Sequence, residues 1–188
     1  MVATLSQTVA CGPRVGASLG AKSLLGAIRV VIVSLMETDI KRHMLRHFLA
    51  TLAYRGTNIL RNMPADISHY RPSPLVRTPV EILNHLNGVL TYAHSFLVPY
   101  ESTEPSLLEW QREVDRFYEI LTKLDETLAG QTPLLEINEE DLLQGPFADA
   151  MLHLGQIGIF RRMAGSPVAA ENYVFADVMA GRLVRCNG

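Results

Sequence analysis

The stretch Asp149-Ala-Met-Leu-His153-Leu-Gly-Gln156-Ile-Gly158 sets a carboxylate four residues before an imidazole. On a helix that spacing stacks the two side chains one turn apart on the same face, where they can share a divalent ion or pair with each other. A second imidazole with the same capacity is His85, which falls within the apolar sector of its own helix, marked by Ile82, Leu86, Val89, Ala93 and Phe96. Three such groups leave open positions on an ion, where a water or a thiol binds and loses a proton more readily. Imidazole combined with carboxylate suits Zn²⁺, Ni²⁺ or Fe²⁺, and spacing does not choose among them.

Each residue also has a plainer role. A carboxylate at Asp149, four residues into a helix that starts at Pro146, meets the positive end of the helix dipole without any metal. A single inward histidine is more often a hydrogen-bonded core residue than a ligand. What favours ligation is coincidence: two inward histidines on different helices, and an acid one turn from one of them. His43 and His47 share the i, i+4 spacing but lie opposite the apolar stripe of their helix, so they read as a solvated pair. His94 falls to the flank of the second helix, and His69 lies in a proline-flanked loop; neither is given a role.

The elements that must position these groups are helical. The first segment runs from about Glu37 to Arg61, with Leu45, Phe48, Leu49, Leu52, Gly56, Ile59 and Leu60 on one side. The second begins at Thr78-Pro79-Val80-Glu81, a capping box with proline at the first helical position, and runs to about Leu97. A third begins at the capping box Ser106-Leu-Leu-Glu109 and ends at Gly130. The fourth starts at Pro146, carries Asp149, His153, Gln156 and Phe160 on one row, and finishes at Gly165-Ser-Pro167. A short further helix is expected within Glu171 to Asp177. No alternating strand pattern competes, so the reading is an all-α helical bundle, with residues 36–188 as its domain.

Residues 1–35 differ in composition. They hold Arg14, Lys22 and Arg29 and no acidic residue, and the apolar run Leu24 to Leu35 is broken by Arg29 and too short to span a bilayer. They read as a poorly ordered extension that contributes nothing to the site, with Met36 opening a segment that begins like a fresh protein. A secretory or organellar signal fits the same stretch loosely.

With 17 Lys and Arg against 19 Asp and Glu, the formal charge is −2, which disfavours nucleic acid as a partner. Cys11 and Cys186 form neither a disulfide framework nor a zinc motif, and no apolar run is long enough to cross a membrane. The expectation is a soluble cytoplasmic protein with no membrane partner.

From about Met36 to Arg182 the chain resembles the DinB-like (damage-inducible) superfamily, which includes the YfiT-type metal-dependent hydrolases. The resemblance rests on the Thr78 to Leu97 helix with His85, on His153-Leu-Gly-Gln156-Ile-Gly-Ile-Phe-Arg161-Arg162-Met-Ala-Gly165-Ser-Pro167, and on Glu171-Asn172-Tyr173 with Ala176-Asp177. It implies an antiparallel four-helix bundle whose metal is held by one histidine on the second helix and an H-x-x-x-H pair on the last. His85 matches the first ligand and His153 the second of the pair, while Asp149 stands where the commonest pattern has histidine. Some members resemble thiol-dependent S-transferases that use a low-molecular-weight bacterial thiol. The resemblance therefore implies a hydrolase or thiol transferase acting on a small molecule, with a divalent metal as cofactor. A homodimer is the expected assembly. The alternative is a non-catalytic bundle used for dimerisation or for an apolar ligand, a reading that Asp149 favours.

Overall fold

A computed structural model describes residues 19–99 and 106–183, and among them no strand occurs. The helices are α1 (Leu19–Leu60), α2 (Ala65–Ser68), α3 (Pro79–Ser95), α4 (Trp110–Ala129), α5 (Glu139–Leu142) and α6 (Ala148–Met163), with a π-helical turn at Leu143–Phe147 and a 3₁₀ turn at Tyr173–Phe175. Cys11, Cys186 and the first part of the N-terminal extension lie outside the described residues. By contacts the chain divides into two units, Met1–Glu37 and Thr38–Gly188. In the first, Leu24, Leu25, Ile28, Val30 and Val31 are exposed, and no helix among the described residues is long and apolar enough to cross a membrane.

Local chemistry sets most helix ends. Thr78 Oγ1 accepts the Glu81 N–H at 3.3 Å and the Glu81 carboxylate accepts the Thr78 N–H at 2.7 Å, so the expected capping box closes α3 with Pro79 at its first position. Its arginine neighbour Arg71 also bonds Glu81, and these partners hold that carboxyl below its ordinary range, the Thr78 N–H first among the causes. α6 ends in a Schellman arrangement: the Ser166 N–H reaches the Arg161 carbonyl at 2.9 Å and the Gly165 N–H reaches that of Arg162 at 3.2 Å. Gly165 has φ of +74°, which a side chain would resist.

Three expected boundaries are corrected. α1 runs back through Glu37 to Leu19, because no proline interrupts the span before Asn62, whose φ of 51° turns the chain out of the helix. α4 begins at Trp110, and the Ser106 to Glu109 capping box does not form. The upstream Leu108 N–H goes instead to the carboxylate of Glu113 at 3.0 Å, inside the helix. The fourth segment starts not at Pro146 but at Glu139, capped by Asn138, whose side chain accepts the Asp141 N–H at 3.0 Å. Pro146 sits within the π-helical turn. Proline has no N–H for the carbonyl four residues back, and a five-residue spacing, as in the Ala148 N–H bond to the Leu143 carbonyl, lets the helical path continue past it.

Leu49, Leu52, Leu83, Leu86, Leu90, Phe117, Leu121, Leu124, Phe147 and Leu154, all fully buried, join the long helices in one core. Polar contacts reveal their directions. Arg46 pairs with Asp125 and Thr57 with Tyr118, so α1 (from Thr38 onward) and α4 run oppositely. Asn87 meets Glu113 while His94 meets Thr127, so α3 and α4 advance together. Phe48 stacks against Phe147 and Arg161 reaches the Ile59 carbonyl, so α1 and α6 also share a direction.

Candidate metal centre

His85 lies one position from Leu86 and three from Ile82, both buried, and its ring is half-buried at the edge of that stripe. On α6, Ala150, Leu154 and Ile157 face the core, and Asp149 and His153 stand half-buried beside them. Because the helical path runs unbroken from Asn138, Asp149 lies several turns from its capped start, and a dipole effect confined to the first turn does not account for it.

The three expected ligands are brought together. One ligand atom from each of His85, Asp149 and His153 can be chosen so that all lie within 4.8 Å of one another. His153 Nε2 is 3.4 Å from Asp149 Oδ2, and the rings of His85 and His153 meet edge to face with centroids 4.7 Å apart. Metal–nitrogen and metal–oxygen bonds of about 2.1 Å at a tetrahedral angle place two ligand atoms about 3.4 Å apart. The His153 to Asp149 separation already has that value, and the His85 ligand atom lies within 4.8 Å of both.

Protonation also fits. Burial, then the positive charge of Arg77 and the neighbouring His153, hold the His85 pKa below its ordinary value, against an opposing pull from Asp149. A neutral imidazole offers the lone pair a metal requires. His153 presents Nδ1 to Gln156 Oε1 at 3.2 Å, leaving Nε2 directed at Asp149.

No family model, curated protein or solved structure matches the chain.

The other histidines stay apart from this cluster. His94 Nε2 lies 3.2 Å from Thr127 Oγ1, and burial followed by Lys123 lowers its pKa. His43 and His69 are exposed and His47 is half-buried. Among the described residues no other set of three histidine, cysteine or acidic side chains converges in this way.

Several residues of the C-terminal string are structural. Arg161 is 8% exposed and donates Nη1 to the carbonyls of Ile59 and Arg61, each at 2.8 Å, closing the free end of α1. Its Nε and Nη2 hold the Ser166 carbonyl and hydroxyl at 3.0 and 3.1 Å. Glu171 accepts from Tyr54 at 2.5 Å and Asn58 at 3.1 Å, and Tyr173 lies under the Arg55 guanidinium. These contacts fasten the segment after α6 to α1.

One polar hub escaped the sequence reading. Glu113 is 0% exposed and its carboxylate accepts from Asn84 and Asn87, each at 2.8 Å, and from Arg116 at 3.3 Å. It stands four residues before Phe117 on the apolar stripe of α4, so the facing test applied to the histidines would have found it. Beside Asp149, a groove of about 490 Å³ runs between α3 and the π-helical turn, lined by Val89, Tyr92, Pro146 and Leu152 among others.

Proposed function

We propose that the chain is a DinB-like metalloprotein, an antiparallel-type four-helix bundle in which α1 and α6 run against α3 and α4. His85, Asp149 and His153 would hold a divalent ion. The observation that carries the reading is the convergence of these three side chains from two helices, with an imidazole held toward its neutral form among them. A bound ion would acidify a water or a thiol in its open positions, which is the chemistry of a hydrolase or a thiol-dependent transferase. The groove beside Asp149 has a volume suited to a small-molecule substrate and presents apolar walls to it. The opposed order of the α1 and α4 contacts, and of His85 and Val89 on α3 against His153 and Asp149 on α6, supports the bundle.

A second reading keeps the scaffold and dispenses with the metal, since an i, i+4 ion pair at 3.4 Å explains Asp149 and His153 by themselves. Metal content of protein purified without added metal, and melting temperature with and without zinc, separate the two. At about one hundred times Kd, a ligand stabilises the native state by about 2.7 kcal/mol. For a chain of this size that raises Tm by about 5 to 11 °C. The shift should vanish in His85→Ala and His153→Ala and persist in His94→Ala. Wild-type protein without metal and without a zinc-dependent shift would leave the non-catalytic bundle as the correct reading.

A further inference from the structure

We infer that Gln156 is a positioning residue for the metal centre, its side-chain oxygen accepting the Nδ1–H of His153 and so committing the Nε2 lone pair to the ion. The inference rests on the centre proposed above. His153 has two ring nitrogens with different neighbours: Nδ1 lies 3.2 Å from Gln156 Oε1, and Nε2 lies 3.4 Å from Asp149 Oδ2, on the side where His85 approaches. A neutral imidazole carries one proton. If it sits on Nε2, it bonds Asp149 and leaves no lone pair for a metal; if on Nδ1, Nε2 is a ligand. Gln156, one turn along α6, turns its oxygen and not its amide nitrogen to Nδ1, and in that orientation it favours the second arrangement. It also fixes the ring's rotation about its Cβ–Cγ bond. A partner hydrogen-bonded to the nitrogen remote from the metal is the usual means by which proteins orient histidine ligands. Gln156 is exposed, so its effect belongs at the low end of those that such partners have.

Zinc affinity, measured by competition with a chromophoric chelator, tests this on wild-type protein, Gln156→Ala and Gln156→Glu. Gln156→Ala should bind zinc about tenfold more weakly. Alanine is a strong helix former at an exposed position, so the variant keeps its fold. Gln156→Glu retains an acceptor oxygen and should bind at least as tightly as wild type, a rescue that a packing role would not produce. NMR of the zinc-loaded, ¹⁵N-histidine-labelled protein supplies a second readout: a His153 Nδ1–H protected from exchange in wild type and Gln156→Glu, and exchanging freely in Gln156→Ala. Equal zinc affinity for wild type and Gln156→Ala, or a zinc-loaded His153 protonated on Nε2, overturns the inference while leaving the metal centre standing. A wild-type protein that takes up no zinc overturns the centre itself.

Discussion

Replacing Arg161 by methionine separates a structural role for the C-terminal string from a role in the metal centre. The guanidinium makes two short bonds, each 2.8 Å, to the Ile59 and Arg61 carbonyls and two longer ones to Ser166, with no carboxylate partner among them. Consistent with that isolation, burial alone pulls its pKa below the ordinary value. Hydrogen bonds from a charged donor contribute about 1.5 to 3 kcal/mol each, so the two to α1 sum to about 3 to 6 kcal/mol. Relief from desolvating the charge offsets part of this, for a net loss of about 2 to 4 kcal/mol. At 2 to 4 °C per kcal/mol, Tm should fall by about 4 to 16 °C. Arg161→Lys should recover less than half of this, because one ammonium cannot span the α1 carbonyls and Ser166 together. Urea and thermal unfolding measure both variants, and hydrogen exchange should locate the loosening at residues 57–61. Zinc affinity should be unchanged, since α1 supplies no proposed ligand. Full recovery by lysine, or lost zinc binding at unaltered stability, would refute the reasoning by showing that the charge, and not the fork that closes α1, is what matters.

Two other outcomes follow from the same contacts. In chelator-treated protein, stability should be full above about pH 6.5, the ordinary imidazole value, and decline as pH falls through the depressed native values of His85 and His94, because there the unfolded chain takes up protons that the native one refuses. Urea titrations at a series of pH values should show a flatter decline in His85→Gln, His94→Gln and most of all their combination; an unchanged slope in the double variant sinks the assignment. Gly56→Ala should destabilise by up to about 2 kcal/mol, since a Cβ there would lie 2.6 Å from Cε1 and 2.9 Å from Cζ of the fully buried Phe117, and overpacking of about 1 to 3 kcal/mol exceeds the gain of about 1 kcal/mol in helix propensity. The same change in a Phe117→Leu background should cost less, and strict additivity of the two would show that the ring is not what Gly56 makes room for.

The sequence by itself determined what depends on near neighbours. The α3 capping box, the end of α6 at Gly165 and the stacking of Asp149 beneath His153 all involve partners within five residues, so spacing suffices to read them. The facing of His85 was legible for the same reason, because its stripe belongs to one helix. Tertiary structure alone decided the rest. An apolar stripe has no polarity, so periodicity did not show that α3 and α4 run together while α1 and α4 oppose. Arg161 finds its acceptors about a hundred positions away, and nothing in its own surroundings marks it as the closure of α1. Pro146, a helix start by local chemistry, became an interior residue once a π-helical turn relieved its missing N–H. Asp149 thereby lost the dipole that would have explained it. Its neighbour His153 gained a partner 68 positions earlier in the chain, His85, which only the packing of α3 against α6 could bring beside it.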